Sequence, residues 1–398
     1  MSMGLKILFV IDTLGTGGAE RSLADMLPAL ARAGITCSVA YFYRPQVSLE
    51  HLFVEQGADL RFLGRRTVAQ RLAALRQLIR SERPNIVHTT LFESNVLGRL
   101  ASIGQRSLVL SSLVNTSYDP IRLQNSDINP LKLSAVRTID ALTARYLTTH
   151  FHAITEAVKT SASATLGVPP DRITTIERGR DGGSGPASAE ARRQARATFG
   201  VSNTDEVIVS VGRQDYQKGQ RFLVEAMAEV AARRPKARLL IAGRPGRQSA
   251  VVEQTCRDVG VKERVRILGH RNDVPALLES ADLFVFPSLY EGLGGALIEA
   301  MATGLPIVAS KIPAIECVVE EGRNALLVER GNSRALAGAM IDLLENGTQA
   351  GAFGRRSREI FDERFTLDRC MARMIEFYRH LAECGDHTRV DVLQEAAP

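Results

Sequence analysis

Two glutamates, Glu291 and Glu299, lie on either side of a glycine-rich turn whose composition suits anion binding. A helical pattern is predicted over 294–303, at the end of the turn. The unpaired N–H groups of a helix N-terminus attract anions, and glycines let a ligand approach the backbone. The residues of the turn are Gly292, Leu293, Gly294 and Gly295.

The spacing of the two carboxylates indicates what kind of anion the turn would bind. Glu299 lies about one turn inside the predicted helix, where its carboxylate can accept two hydroxyl hydrogen bonds, as recognition of a ribose requires. Glu291, in the loop, can reach a different hydroxylated group. The pattern therefore suits a sugar nucleotide. The alternative is purely structural, with one Glu capping the helix and the other favoured by the helix dipole.

Two cations five positions apart, Arg213 and Lys218, form a second candidate group. They follow the apolar run 207–211, which is predicted to be a strand, and glycines flank them at positions 212 and 219. Arginine offers a planar fork and lysine a mobile point charge, so the pair can hold a diphosphate. The alternative is an ordinary surface loop, but a position at the end of a strand favours binding.

The third candidate group is a glycine-rich turn from Gly15 to Glu20, which follows the apolar run 6–11 near the N-terminus. It resembles a dinucleotide-binding fingerprint, but Glu20 stands where the third glycine belongs, and the chain has no G-K-[ST] phosphate loop. Gly17 and Gly18 remain candidates for anion contacts at a helix N-terminus. The alternative is a tight turn without a ligand.

Short apolar runs that alternate with helical patterns are expected to position these groups. Such alternation predicts parallel sheets with right-handed crossovers. The stretch from 179 to 186 is rich in Gly, Pro and Ser and is typical of a linker, so the chain is predicted to form two α/β units with a ligand cleft between them. The strands are predicted at 6–11, 36–42, 60–63, 86–88, 108–113, 151–154, 172–176, 207–211, 238–242, 265–268, 283–286 and 307–308.

Composition excludes several classes of protein. The 398 residues include five scattered cysteines without a C-x-x-C pair, which indicates reduced thiols in a cytosolic protein rather than a disulfide scaffold or zinc knot. The apolar run 7–11 is too short for a signal-peptide core, and no run approaches a membrane span. The net charge of +6 fits nucleotide phosphates, an anionic membrane or nucleic acid. Nucleic acid is the least favoured, because neither interleaved aromatics nor a known module supports it.

The segment 59–106 is rich in arginine and holds nine Arg against three acidic residues. Several of them have helical spacing, and a basic amphipathic helix can lie on an anionic membrane surface. The alternative is a solvated helix face.

The segment that starts at Glu291 resembles a known family. Glu291, seven residues, Glu299 and then A-M-A-T-G-L-P-I-V-A-S over 300–310 are similar to the E-x7-E signature of retaining glycosyltransferases of family 4. Further similar segments lie at 17–21, 85–88, 154–159, 213–218, 265–269 and 365–381.

The resemblance implies the GT-B fold, an α/β architecture of two Rossmann-like domains that face each other across a cleft. The implied boundaries are an acceptor-binding domain at 1–180, a linker at 181–190 and a nucleotide-sugar-binding domain at 191–364. Residues 365–398 would then form a C-terminal helix that crosses back to the first domain, and a tail.

The resemblance also implies the chemistry, which is retaining transfer of a sugar from a UDP- or GDP-sugar. Glu299 would bind the ribose and Glu291 the donor sugar. The leaving diphosphate would be stabilised by Arg213, Lys218 and the N–H groups of Gly294 and Gly295. The backbone of Ile267 and Leu268 would meet the base. No cofactor or metal is expected, because two cations replace a metal and the sequence has no convincing D-x-D loop or cluster of His ligands.

Three departures from the family pattern affect the candidate residues. Relatives often carry H-x-H where this chain has His88-Thr89-Thr90, so His88 is a candidate catalytic, acceptor or sugar contact, with a buried strand-end histidine as the alternative. The segment 176–181 keeps only the Gly and Asp of the usual I-P-N-G-[IV]-D. Arg244 stands in a turn that is usually V-G-D-G-P, where it can add a phosphate or base contact.

The acceptor is expected to be a glycan or lipid-linked cell-envelope precursor, with the enzyme cytoplasmic and peripheral at the inner face of the membrane. Two rival functions stay open from the sequence. One is a GT-B sugar-nucleotide epimerase, and the other is a non-catalytic binder of nucleotide sugars.

Overall fold

Strands and helices alternate along the chain in a computed structural model that describes residues 4–125, 127–183 and 185–394, with the backbone alone for 384–394. The strands are β1 (Lys6–Thr13), β2 (Thr36–Tyr43), β3 (Asp59–Phe62), β4 (Ile86–Thr90), β5 (Leu108–Leu113), β6 (His150–Ala153), β7 (Ile173–Thr175), β8 (Glu206–Val211), β9 (Ala237–Ala242), β10 (Val265–Gly269), β11 (Leu283–Phe286), β12 (Ile307–Lys311) and β13 (Ala325–Glu329).

The helices between these strands account for the crossovers. The α-helices are α1 (Gly18–Arg32), α2 (Glu50–Glu55), α3 (Val68–Glu82), α4 (Phe92–Ala101), α5 (Pro130–Leu147), α6 (Glu156–Leu166), α7 (Ala189–Thr198), α8 (Gln220–Arg233), α9 (Ser249–Asp258), α10 (Val274–Glu279), α11 (Gly295–Ala302), α12 (Pro313–Glu316), α13 (Ser333–Glu345), α14 (Gly347–Ile360) and α15 (Leu367–Gln394). Short 3₁₀ helices span Pro120–Gln124, Pro170–Arg172, Tyr216–Lys218 and Lys262–Arg264, and a π-helical turn spans Phe361–Phe365.

The chain divides into two compact units, each built on one parallel sheet. The first comprises Met1–Tyr118, Ser126–Gly179 and Leu367–Pro398, and the second comprises Asp119–Asn125 and Arg180–Thr366. The seven strands of the first sheet run in the order β3-β2-β1-β4-β5-β6-β7, and the six strands of the second run β10-β9-β8-β11-β12-β13. The predicted α/β class, with two Rossmann-like sheets, is confirmed.

Each sheet is covered by helices, which explains why its central strands are continuous apolar runs. In the second unit, Ile208 of β8 and Val285 of β11 are fully buried in one core with Met227 of α8 and Met340 of α13. In parallel sheets of this kind, the strand order reverses at a switch point where ligands bind. The order places that point between β1 and β4 in the first sheet and between β8 and β11 in the second.

The C-terminal helix α15 belongs to the first unit, which confirms the predicted C-terminal helix that returns to the first domain. Met371, Met374 and Tyr378 of α15 are buried in one core with Leu23 and Leu27 of α1. The helix begins at Leu367 and ends at Gln394. The prediction for residues 395–398 lies outside the described residues.

One strand was missing from the sequence prediction. β13 pairs with β12 at the end of the second sheet, and its three central residues are only half-buried. The run from Ala325 to Val328 is apolar but only four residues long, and the sequence prediction overlooked it. A short apolar run does not by itself identify a strand.

Candidate functional site

The carboxyl ends of β8 and β11 bring the two strongest sequence motifs together in the second unit. The loop after β8 carries Arg213 and Lys218, and the loop after β11 carries Glu291 and the glycine turn. Because β8 and β11 are neighbours in the sheet, these loops lie side by side at its switch point.

The loop after β8 is held close to the loop after β11 by a glycine in the left-handed region. Gly219 has a φ of 60°, and a Cβ at this position would collide with the carbonyl oxygen of Pro287. The loops also exchange hydrogen bonds, since the N–H of Leu289 donates to the Gln217 carbonyl at 2.8 Å and the Gln217 amide donates to the Tyr290 carbonyl at 3.0 Å. This backbone pairing positions Lys218 on one loop against Glu291 on the other.

Lys218 and Glu291 form an ion pair, although 73 positions separate them in the sequence. Glu291 is 6% exposed, and it also accepts a hydrogen bond of 2.9 Å from the hydroxyl of Ser288. The Lys218 ammonium lies 5.3 Å from the centre of the Phe286 ring, which adds a cation–π contact. The sequence predicted both residues as site residues but did not predict that they pair.

Arg213 lies at the start of the same loop, with its side chain about half exposed and paired with Asp215. An exposed guanidinium of this kind can reorient toward an incoming anion at little cost. Arg213 and Lys218 therefore remain within one loop, as predicted, and differ in burial.

The glycine turn ends at the N-terminus of α11. Gly294, with a φ of 83°, is the N-cap residue, and no side chain caps the helix. The first N–H groups of an α-helix have no acceptor within the helix, so a helix without a side-chain cap offers them to a ligand. The role of Gly294 and Gly295 as donors to an anion stays a prediction.

Glu299 and Arg180 form an ion pair beside this turn, with 3.3 Å between Glu299 Oε1 and Arg180 Nε. Arg180 is 6% exposed, and its guanidinium covers Gly295, where a Cβ would collide with it. Arg180 thus adds a cation to the first turn of α11. Sequence reasoning missed it, although the signal was present as the departure from I-P-N-G-[IV]-D, in which Arg180 replaces an apolar residue.

Backbone hydrogen bonds tie the next loops along the sheet edge to the loop that follows β8. Arg244 follows β9, and its carbonyl accepts from the N–H of Gln214 at 3.1 Å. The N–H of Gly243 donates to the Gly269 carbonyl at 2.8 Å, at the end of β10. Ile267 and Leu268 are half-buried residues of β10. Arg244, Ile267 and Leu268 therefore lie in the second unit. Arg244 is at the carboxyl edge of its sheet, and the other two lie in the strand that ends at this edge.

His88 occupies a different environment from the one that a catalytic histidine needs. Its ring is 2% exposed, with Nδ1 2.7 Å from the Tyr378 hydroxyl and Nε2 2.7 Å from the Ser112 hydroxyl. Burial, with smaller contributions from His152 and Arg178, holds the pKa of His88 well below its usual range. Because both ring nitrogens are engaged inside the core, the geometry favours the structural alternative for His88.

Gly17 and Gly18 lie in the first unit, at the start of α1. Gly17 is the N-cap residue and has no side-chain cap. However, a Cβ at Gly17 would collide with the carboxylate of Glu20, which also accepts a 3.0 Å hydrogen bond from the Thr13 hydroxyl. A carboxylate therefore occupies the space beside the turn, and an anion there would meet a like charge.

Several arginines of 59–106 are engaged within the fold. Arg71 is buried and pairs with Glu93 at 2.7 Å, and Arg99 is buried and pairs with Asp140 at 2.7 Å. Arg61 pairs with Glu82 at 3.1 Å, and Arg76 donates to two backbone carbonyls. The segment keeps part of the basic surface that the sequence predicted, because the arginines at 65, 66, 80, 83 and 106 are exposed.

Within the described residues, no group of three or more His, Cys, Asp or Glu side chains could hold a metal ion. None of the helices in the described part of the chain is both long enough and apolar enough to cross a membrane.

Two family models match successive parts of the chain. The model for Glycosyltransferase Family 4 matches residues 16–182, and the model for Glycosyl transferases group 1 matches residues 205–346, which include Lys218, Glu291 and Glu299. The chain belongs to glycosyltransferase family 4.

Curated relatives of this family 4 member carry several activities. The UDP-Gal:alpha-D-GlcNAc-diphosphoundecaprenol alpha-1,3-galactosyltransferase of Escherichia coli is 26% identical over 277 residues, which are 69% of this chain and 70% of that protein. The D-inositol 3-phosphate glycosyltransferase of Corynebacterium urealyticum is 30% identical over 204 residues, which are 49% of this chain and 48% of that protein. The chain spans about half the length of most of the curated relatives that it matches.

Solved structures show that the fold is GT-B. HepE of Anabaena, crystallised with UDP-glucose, has a TM-score of 0.84 at 23% identity and covers 95% of this chain and 100% of its own. Sucrose-phosphate synthase of Thermosynechococcus elongatus has a TM-score of 0.80 at 19% identity and covers 94% of this chain and 99% of its own.

Proposed function

We propose that this chain transfers a sugar, with retention of the anomeric configuration, from a UDP- or GDP-sugar to a hydroxyl of a lipid-linked or cell-envelope glycan precursor. The observation that carries the proposal is the group of cations at the switch point of the second sheet. The loop after β8 carries Arg213 and Lys218, Lys218 pairs with Glu291, and Glu299 lies in α11, whose N-terminus has no side-chain cap.

The proposed chemistry is stabilisation of the leaving diphosphate. When the bond between the anomeric carbon and the diphosphate oxygen breaks, its electron pair leaves with the diphosphate, and negative charge grows on the phosphate oxygens. Lys218, Arg213 and the N–H groups of Gly294 and Gly295 would receive that charge, and preorganised donors of this kind are usually the largest catalytic contribution. The acceptor oxygen forms the new bond, and its proton passes to the departing phosphate.

The two carboxylates are assigned binding roles. Glu299 would accept the ribose hydroxyls, and Glu291 would accept hydroxyls of the donor sugar. Each is paired with a cation in this structure, Glu299 with Arg180 and Glu291 with Lys218. We therefore assign both carboxylates to binding rather than to a glycosidase-like pair of acid and nucleophile.

The donor and acceptor classes are supported by chemistry and by relatives. Lys218, Arg213 and Arg180 would neutralise a diphosphate without a metal ion. The Escherichia coli relative is named for a UDP-sugar donor and a diphosphoundecaprenol-linked acceptor. An acceptor of that class lies in a membrane, so we place the reaction at the cytoplasmic membrane face.

The test is proton NMR of the purified chain with UDP- and GDP-sugars, with and without a membrane-lipid extract as the acceptor source. We expect a new glycosidic anomeric signal with the configuration of the donor, which appears only when acceptor is present and without added divalent metal. An inverted product would contradict retention. Epimerised donor in the arm without acceptor would support the epimerase instead, and unchanged donor in every arm would support a non-catalytic binder.

A further inference from the structure

Helix α5 (Pro130–Leu147) turns most of its large apolar side chains outward. A surface helix normally buries its apolar face and exposes its polar one. In α5, the buried residues are Asp140 and Ala144. The exposed fractions are 82% for Leu131, 48% for Ile139, 53% for Leu142 and 77% for Tyr146.

The exposed apolar residues form one continuous stripe. Together with the exposed Ala135, they lie at positions 131, 135, 139, 142 and 146. At 3.6 residues per turn, these positions fall within an arc of about 80° on the side of the helix opposite Ala144. The stripe is about 22 Å long, since each residue rises about 1.5 Å.

A buried ion pair fixes the direction in which the stripe faces. Asp140, on the inner side of α5, accepts from Arg99 Nη1 at 2.7 Å and from the Tyr118 hydroxyl at 2.8 Å. Arg99 is 1% exposed. Rotating α5 to bury the stripe would separate these charges, and breaking a buried ion pair is strongly destabilising. The outward orientation is therefore part of the fold.

The charges of α5 identify what covers the stripe. By helical geometry, Lys132 borders the stripe on one side and Arg145 borders it on the other. Arg137 is exposed as well, and the single acid of the helix, Asp140, is buried against Arg99. An apolar stripe with cationic borders matches a helix that lies in the interface of an anionic membrane, where Lys and Arg reach the headgroups. Tyr146 suits the same depth, because its ring is apolar and its hydroxyl polar.

A second copy of the chain fits the stripe less well. Pairing of two α5 helices would bring Lys132 and Arg145 of one copy close to the same cations of the other, and α5 exposes no acidic side chain that could offset the repulsion. We therefore propose that α5 docks this chain on an anionic membrane surface, with the apolar stripe at the level of the headgroups. In this proposal the stripe, and not the segment 59–106, is the membrane-facing element.

The test is flotation of the full chain with phosphatidylcholine vesicles, with and without phosphatidylglycerol, in the absence of any sugar nucleotide. The test variant carries Leu131→Ser, Leu142→Ser and Tyr146→Ser, and the matched control carries Arg66→Ser and Arg80→Ser in the segment 59–106. All five positions are exposed, so both variants should keep the Tm of the parent. Circular dichroism melting checks this.

We expect the parent to float with anionic vesicles. The stripe variant should lose at least about tenfold in vesicle affinity, since three large side chains no longer insert, and the control should bind like the parent. The proposal would be overturned if the parent does not float or if the stripe variant floats like the parent. Equal binding of the parent to neutral vesicles would also overturn it. Sedimentation showing a dimer that only the stripe variant dissociates would also overturn it, in favour of self-association. Because no donor is present, the result is independent of the proposed transferase activity.

Discussion

Lys218 is the residue whose removal should affect the proposed reaction most. Lys218→Ala removes a cation from the diphosphate, together with the ammonium that pairs with Glu291, which is 6% exposed. We expect kcat/KM to fall by about 10²-fold or more, the loss typical of one oxyanion-type contact. Initial rates of sugar transfer measure this. Lys311→Ala, which removes a surface lysine paired with Glu321 at 3.2 Å, is the control and should keep the parent rate. Turnover at the parent rate in Lys218→Ala would contradict the assignment of Lys218 to stabilisation of the diphosphate.

Arg180 should contribute to donor affinity because it covers the first turn of α11 and pairs with Glu299. We expect Arg180→Ala to weaken nucleoside diphosphate binding by about tenfold, the scale of one charge-assisted contact. Isothermal titration calorimetry measures the affinity, with the exposed Arg334→Ala as the control. Tighter binding by Arg180→Ala would instead show that Arg180 competes with the ribose for Glu299.

At the scale of elements, a buried series of hydrogen bonds connects α15 to the first sheet. It runs from Tyr378 of α15 to His88 of β4, on to Ser112 of β5, and then to His152 of β6 at 3.1 Å. We expect Tyr378→Phe to lower the free energy of unfolding by about 1–3 kcal/mol, because a buried nitrogen of His88 loses its partner. Urea unfolding measures this. Tyr146→Phe, on the exposed face of α5, should change it by less than about 0.5 kcal/mol.

His152, the last residue of this hydrogen-bond series, predicts a pH dependence of stability. Burial lowers the pKa of His152 from 6.5 to about 3, with a smaller contribution from Arg178. The unfolded chain therefore binds a proton below about pH 6.5 that the folded chain does not bind until about pH 3. The free energy of unfolding should fall on acidification through this window, by up to about 1.4 kcal/mol per pH unit from His152. Urea unfolding at pH 7, 6 and 5 measures the slope, and His152→Gln should reduce it. An unchanged slope would contradict the assignment.

Local sequence patterns predicted most elements but few of the contacts between them. Apolar runs located twelve strands, since a buried parallel strand is recognisable from its own residues, whereas the short apolar run of the edge strand β13 was overlooked. The outward stripe of α5 was not predicted, because its direction depends on the pairing of Asp140 with Arg99, 41 positions away. In the candidate site, the E-x7-E motif located both carboxylates, but Arg180 and Glu299 meet across 119 positions, a distance that no local pattern spans.

At the scale of the whole molecule, part of the net charge of +6 is assigned to two proposed anionic ligands, a diphosphate and a membrane surface. Part of it lies at the switch point of the second sheet, where Lys218, Arg213 and Arg180 would meet a diphosphate. Another part borders the apolar stripe of α5. In the segment 59–106, Arg71 and Arg99 are buried in pairs with Glu93 and Asp140, whereas other arginines stay exposed.

The central claim is that the site between β8 and β11 binds a nucleoside diphosphate. A thermal-shift panel of UDP, GDP and ADP, with the corresponding sugar nucleotides and a Glu299→Ala control, tests it most directly. At 100 times its Kd, a ligand stabilises the fold by about 2.7 kcal/mol, so UDP or GDP and its sugar should raise the Tm of the parent by several degrees and that of Glu299→Ala by clearly less. No shift with any nucleotide, or equal shifts in parent and control, would contradict the claim.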